Sequence, residues 1–154
     1  MTRTDPVDVL LVEDNRDDAE FTLRALRKAN AGLRVQLVED GVAALEFLFR
    51  TGQFAGQGGE RPPRLVLLDL NLPRLDGHEV LRRMRADPRT RTVPVVMLTS
   101  SGAPADVQAA YRCGANSYIV KPADYPQLIA LLADLVRYWL QINAGPGDGI
   151  GPVR

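Results

Sequence analysis

Five short runs rich in Val, Leu and Ile alternate along the chain with stretches whose apolar positions recur at helical spacing. The runs are Val7 to Val12, Arg34 to Val38, Arg64 to Leu68, Val93 to Leu98 and Ser117 to Val120. Four of them are apolar almost throughout, as strands buried on both faces must be, whereas the second alternates polar with apolar and is the expected edge strand. Between the runs, Asp17 to Ala29 carries Phe21, Leu23, Leu26 and Ala29; Val42 to Arg50 carries Ala44, Leu45, Leu48 and Phe49; Gly77 to Ala86 carries Val80, Leu81 and Met84. These spacings predict amphipathic helices. A weaker helix is predicted from Pro104 to Cys113, capped by Gly114, and the longest from Tyr125 to Ile142. Strand and helix in strict alternation predict an α/β fold, a parallel sheet with helices on both faces.

The stretch from Gly52 to Pro63 is Gly-rich and predicts a loop, and the Gly/Pro-rich sequence from Gly145 cannot continue the last helix. We therefore divide the chain into one domain, residues 1–143, and a flexible tail, 144–154. A length of 154 residues with 45% hydrophobic content suits one such domain and leaves no room for a separate effector.

Charge removes several function classes. Lys plus Arg and Asp plus Glu each total 19, so no bulk positive charge exists to follow a nucleic acid. Neither GxxxxGK[ST] nor GxGxxG occurs, which excludes the common nucleotide-phosphate cradles. No apolar run reaches the ~18 residues of a membrane span, and the polar N-terminus has no signal-peptide core. The single cysteine, Cys113, cannot form an intramolecular disulfide, and a reducing cytoplasm is the expected location.

Polar residues directly follow four of the five runs: Glu13 and Asp14 the first, Asp69 the third, Thr99 the fourth, Lys121 the fifth. In an open parallel sheet the strand C-termini share one edge, where ligands bind, so these residues are expected to converge. Three carboxylates brought together repel unless positive charge compensates, and Lys121 with a divalent cation would supply it. Mg²⁺ takes a few oxygen ligands and bridges carboxylates to phosphoryl oxygens, a role that Glu13, Asp14 and Asp69 fit. Asp69 could then attack a phosphoryl donor to form an aspartyl phosphate. Phosphoryl transfer depends on positioning and charge neutralisation, which suits the Lys121 ammonium and the Thr99 hydroxyl.

Each residue taken alone has an ordinary reading. Glu13-Asp14-Asn15 could simply open a helix, Asp69 could be a turn residue, Thr99 could belong to an ordinary loop, and Lys121 could be a solvated lysine. Asp76-Gly77 is most simply a turn into the third helix, and Asp17-Asp18 are most simply first-turn acids. His78 has no second histidine or cysteine with which to hold a metal, and Cys113 is expected to be packed.

Together, LLVEDN, LVLLDLNLPRLDG, VVMLTSS and SYIVKP resemble the signature blocks of two-component response-regulator receivers, over Val9 to about Leu140. The resemblance implies a flavodoxin-like (βα)5 fold with strand order 2-1-3-4-5. It implies that Asp69 is the phosphoacceptor and that Glu13 and Asp14 bind metal together with the backbone carbonyl of Asn71. Thr99 and Tyr118 would be the switch pair, and Lys121 the lysine that contacts the phosphoryl group, with its bond to Pro122 expected cis. It also implies a signalling protein of a phosphorelay, not an enzyme of other substrates, phosphorylated by a histidine kinase and switching its protein contacts. DLNLPRLDGHEVL, the loop at Gly52 to Pro63 and the terminal RYWL are similar to small receivers paired with phytochrome-type kinases. Asn71 and Ser101 occupy positions that tune dephosphorylation in the family, which leaves the phosphoryl lifetime open.

Two other classes compete. A haloacid-dehalogenase-like phosphatase also uses a strand-end aspartate and Mg²⁺, but its second aspartate is replaced here by Asn71, which cannot act as general acid or base. A degenerate receiver that binds partners without phosphorylation would not need the intact constellation. A homodimer through the fourth helix, fifth strand and fifth helix is also expected. Leu128, Leu132, Leu135, Trp139 and Ile142 form one apolar stripe, while Ile129, Leu131, Val136, Tyr138 and Leu140 spread apolar surface beyond it.

Overall fold

The computed structural model describes residues 6–57 and 61–146, so the centre of the Gly-rich loop and most of the expected tail lie outside the described residues. The elements run β1 (Val9–Val12), α1 (Arg16–Ala29), β2 (Val35–Val38), α2 (Gly41–Phe49), β3 (Leu65–Leu68), α3 (Gly77–Ala86), β4 (Val95–Thr99), α4 (Pro104–Cys113), β5 (Ser117–Val120) and α5 (Tyr125–Val136). A single 3₁₀ turn, Gly52–Phe54, follows α2. All five strands pair in parallel in the order β2-β1-β3-β4-β5. The expected edge strand, β2, is an edge, and the fold is the flavodoxin-like (βα)5 arrangement.

Successive strand residues face opposite sides of a sheet, and here both sides are apolar. Leu10, Val12, Val66, Leu68, Val95 and Met97 pack with Ala44 and Leu48 of α2 and Val80, Leu81 and Met84 of α3. Val9, Leu11, Leu65, Leu67, Val96 and Leu98 pack with Leu26 of α1 and Leu128, Leu132 and Leu135 of α5. Every residue of β1, β3 and β4 is buried. This is why those three strands carry no alternation in sequence. The fourth strand starts at Val95, two residues later than expected, because Pro94 has no N–H for the ladder and contributes only its carbonyl, to Val66 N.

Side-chain caps start four of the helices. Asn15, Asp40, Asp76 and Asp124 accept from the backbone N–H of Asp18, Ala43, Glu79 and Gln127. Gly114 ends α4 at φ 105°, a left-handed conformation that costs glycine nothing.

The last helix departs from expectation. It is α-helical only to Val136, and Arg137–Ile142 forms a π-helical continuation that closes with an i→i+5 bond from Asn143 N to Tyr138 O of 2.6 Å. The wider turn breaks the seven-residue register that would have placed Ile142 above Leu135. Ile142 is instead 59% exposed, whereas Val136 and Leu140, expected on the outer surface, are buried. Arg64 donates to the Leu140 carbonyl at 2.7 Å and braces this segment against the start of β3. No helix among the described residues is long and apolar enough to cross a membrane.

Candidate functional site

The parallel register brings the strand ends together. Val12 lies beside Leu68, Leu68 beside Met97, and Thr99 beside Val120. The ladder continues one residue further through Asp69 N to Val12 O and Lys121 N to Thr99 O, at 3.2 and 2.7 Å. Glu13 and Asp69 end level with Leu98, Thr99 lies one residue further and Lys121 two, so the four gather at the C-terminal edge of the sheet, with Asp14 on the loop into α1.

Carboxylate oxygens of Glu13, Asp14 and Asp69 all lie within 4.8 Å of one another. Glu13, Asp69 and Thr99 are buried, and Asp14 is exposed. Lys121 reaches Glu13 Oε1 at 2.5 Å and lies 4.0 Å from Asp69 Oδ2. Burial pushes the Glu13 carboxyl up, against the hydrogen bond and charge of Lys121 that hold it down. Burial also works against the Lys121 ammonium, but the bond to Glu13 and the charges of Glu13 and Asp69 outweigh it and leave its pKa raised. One lysine does not balance three carboxylates. Oxygen-only donors of this number, partly buried and partly open to solvent through Asp14, fit a hard divalent cation.

The loop between β3 and α3 is folded back against Asp69. Asp69 Oδ1 accepts from Leu70 N at 2.7 Å, and Gly77 N donates to Leu70 O at 2.9 Å. A Cβ on Gly77 would lie 2.2 Å from the Asp69 carbonyl oxygen, and one on Gly41 would lie 2.0 Å from that of Leu75. Both glycines permit a backbone approach that no side chain could share. Asn71, two residues beyond Asp69, is exposed on this loop.

Tyr118 is half-buried, packs on the α2/α3 face, and donates its hydroxyl to the Ser101 carbonyl at 2.7 Å. The Ser101 hydroxyl in turn donates to Asp106 of α4 at 2.5 Å. Neither this link nor the contact of Lys121 with Asp18, 3.1 Å, was anticipated from sequence. Asp18 lies one helical turn beyond Asp14, and side chains in a first turn lean toward the helix N-terminus, which here is the site edge. That spacing was the available signal. The Lys121–Pro122 bond expected to be cis is trans, since no cis peptide bond occurs among the described residues. Trans is the form an X-Pro bond adopts unless its surroundings force otherwise. The residues set aside remain aside: His78 has a buried Nδ1 without a partner, and Cys113, half-buried, packs against the core on the α2/α3 side, with Arg82 donating to its Sγ at 3.7 Å.

Residues 9–133 match the response regulator receiver domain. The chain belongs to this family. The receiver is 41% identical over 143 residues to a probable methanogenesis regulatory protein, FilR2, of Methanothrix harundinacea, spanning 93% of this chain and 90% of that one. It is 35% identical over 136 residues to the response regulator Rcp1 of Synechocystis, across 88% of this chain and 90% of Rcp1, which has been crystallised in a Mn²⁺-bound form. Its fold superposes on the phosphorylated cyanobacterial phytochrome response regulator RcpA with a TM-score of 0.85 at 34% identity, over 93% of this chain and all of RcpA. As a receiver the chain is a component of two-component signalling, and the phosphatase reading falls away.

Proposed function

We propose that this receiver accepts a phosphoryl group on Asp69 from the phosphohistidine of a histidine kinase, with Mg²⁺ bound beside it, and then alters its protein contacts. The observation that carries the reading is the position of Asp69, a nearly buried carboxylate set between two further acids and a charged lysine at the strand edge.

In the transfer, a carboxylate oxygen of Asp69 forms a bond to phosphorus as the phosphorus–nitrogen bond to the kinase histidine breaks. The departing imidazole nitrogen keeps the electron pair and takes a proton from solvent. Glu13, Asp14, Asp69 and the backbone carbonyl of Asn71 would hold the metal, which when bound neutralises carboxylate and phosphoryl oxygen charge. Lys121 supplies the fixed positive charge from within the protein, and the Thr99 hydroxyl donates to the transferred group. Thr99 and Tyr118 are the switch, because the Tyr118 bond to Ser101 ties its side chain to the loop that follows Thr99. Catalysis is confined to the protein's own phosphorylation and dephosphorylation.

The likeness to the phytochrome response regulator RcpA supports a phytochrome-type kinase as the cytoplasmic partner. A homodimer through α4, β5 and α5 is supported by Tyr111, Val120, Tyr138 and Ile142, each about half exposed on those elements or on the π-helical continuation. Intact mass after incubation with acetyl phosphate and Mg²⁺ tests the central step: one phosphoryl group added to the wild type and none to Asp69→Asn.

A further inference from the structure

Lys121 has one more anionic partner than the proposed phosphorylation site uses. Its ammonium is within hydrogen-bond reach of Glu13 at 2.5 Å and of Asp18 at 3.1 Å, whereas Asp69 Oδ2, at 4.0 Å, lies beyond it. An ammonium has three protons, and two of them are thus directed away from the phosphoacceptor. The backbone that carries Asp18 is fixed. Its backbone N–H is tied to the Asn15 side chain at 2.9 Å, which fixes the first turn of α1, and Lys121 is tied to Thr99 through the sheet.

The two bonds of the ammonium differ in environment. The Glu13 side chain is 4% exposed and that of Asp18 is 43% exposed. Breaking a buried pair strands a charge, whereas a wet pair exchanges with water at little cost. Of the two, the bond to Asp18 is the one that costs less to break.

We propose that Asp18 is a positioning residue that competes with the phosphoryl group for Lys121, holding the ammonium toward α1 until Asp69 is phosphorylated. The inference rests on the proposed function, since it presumes that Lys121 serves a phosphoryl group on Asp69. It follows by linkage that an interaction present before phosphorylation and lost after it disfavours the phosphorylated state. Removing Asp18 therefore raises the phosphorylated fraction through Lys121, and does so without adding any contact to the site.

A double-mutant cycle tests this, with the phosphorylated-to-unphosphorylated ratio read by intact mass at a fixed, sub-saturating acetyl phosphate concentration with Mg²⁺. Asp18→Asn keeps the size of the side chain and removes its charge. It is expected to raise the ratio by roughly two- to fivefold, the scale of a partly exposed ion pair. The same change in a Lys121→Met background is expected to leave the ratio unaltered. A merely structural role for Asp18, as a first-turn acid of α1 or as general negative charge near the site, would act equally in both backgrounds, and that result overturns the proposal. If Lys121→Met does not fold, the ¹⁵N resonance of Lys121 Nζ serves instead: Asp18→Asn should shift it in the unphosphorylated protein and leave it unmoved in the phosphorylated one. A shift of equal size in both states overturns the proposal. A wild type that takes up no phosphoryl group defeats the proposed function and the inference together, whereas normal phosphorylation with an unchanged ratio in Asp18→Asn defeats the inference alone.

Discussion

The Lys121 ammonium and the Glu13 carboxylate are joined at 2.5 Å with both side chains more than nine-tenths buried. Removing one member leaves the other charged in a low-dielectric setting, which costs about 3–5 kcal/mol for a buried pair. We expect Lys121→Met to lower the free energy of unfolding by that order, measured by urea denaturation at neutral pH without added metal. Glu13→Gln/Lys121→Met should lose less than Lys121→Met alone. A double variant less stable than the single one would show that the two charges do not depend on each other.

Gly77 opens α3, where alanine would normally be the better residue, yet its Cβ would stand 2.2 Å from the Asp69 carbonyl oxygen. Overpacking of this kind typically costs about 1–3 kcal/mol. Gly77→Ala should therefore destabilise the protein and slow its labelling by acetyl phosphate, because the strand end that carries Asp69 has to move. Unchanged stability would mean the loop is softer than its contacts imply.

Much of this architecture was legible in the chain. Apolar runs without alternation marked β1, β3 and β4, because burial on both faces leaves no position for a polar side chain, and the alternation in β2 marked an edge. The strand-end acids, hydroxyl and lysine were legible because a parallel sheet collects its C-termini at one edge. What escaped were features set by local geometry. The π-helical turn after Val136 exposes Ile142 and buries Leu140 with no residue that signals it, and Asp18 looked like an ordinary first-turn acid until the sheet placed Lys121 within 3.1 Å.

The same turn decides how the dimer should be tested. Leu140 is buried and would unfold the last helix if made charged, but Tyr138 and Ile142 are 48% and 59% exposed. Sedimentation of the wild type with acetyl phosphate and Mg²⁺ should show a dimer, and Tyr138→Asp/Ile142→Asp should remain monomeric with an unchanged unfolding midpoint. A wild type that stays monomeric at high concentration, phosphorylated or not, removes the interface.

Asp87, just after α3, is held down to about 2 by hydrogen bonds from the Arg89 side chain and backbone, with burial opposing them. A depressed carboxyl stabilises the fold above its unfolded pKa, near 4, and that contribution is lost as pH falls through about 2. An NMR titration of the Asp87 carboxyl should show the low midpoint, and Arg89→Ala should return it toward the ordinary range. A wild-type midpoint near 4 would mean that the pair does not persist in solution.

Site mapping is the most direct test of phosphorylation at Asp69. After incubation with acetyl phosphate, borohydride reduction converts a phosphorylated aspartate to homoserine, which peptide mass spectrometry locates. The expected result is conversion at Asp69 alone, dependent on Mg²⁺ and sharply reduced in Glu13→Gln/Asp14→Asn. Conversion at Asp14 or another acid, or at Asp69 to the same extent without a divalent cation, would contradict it.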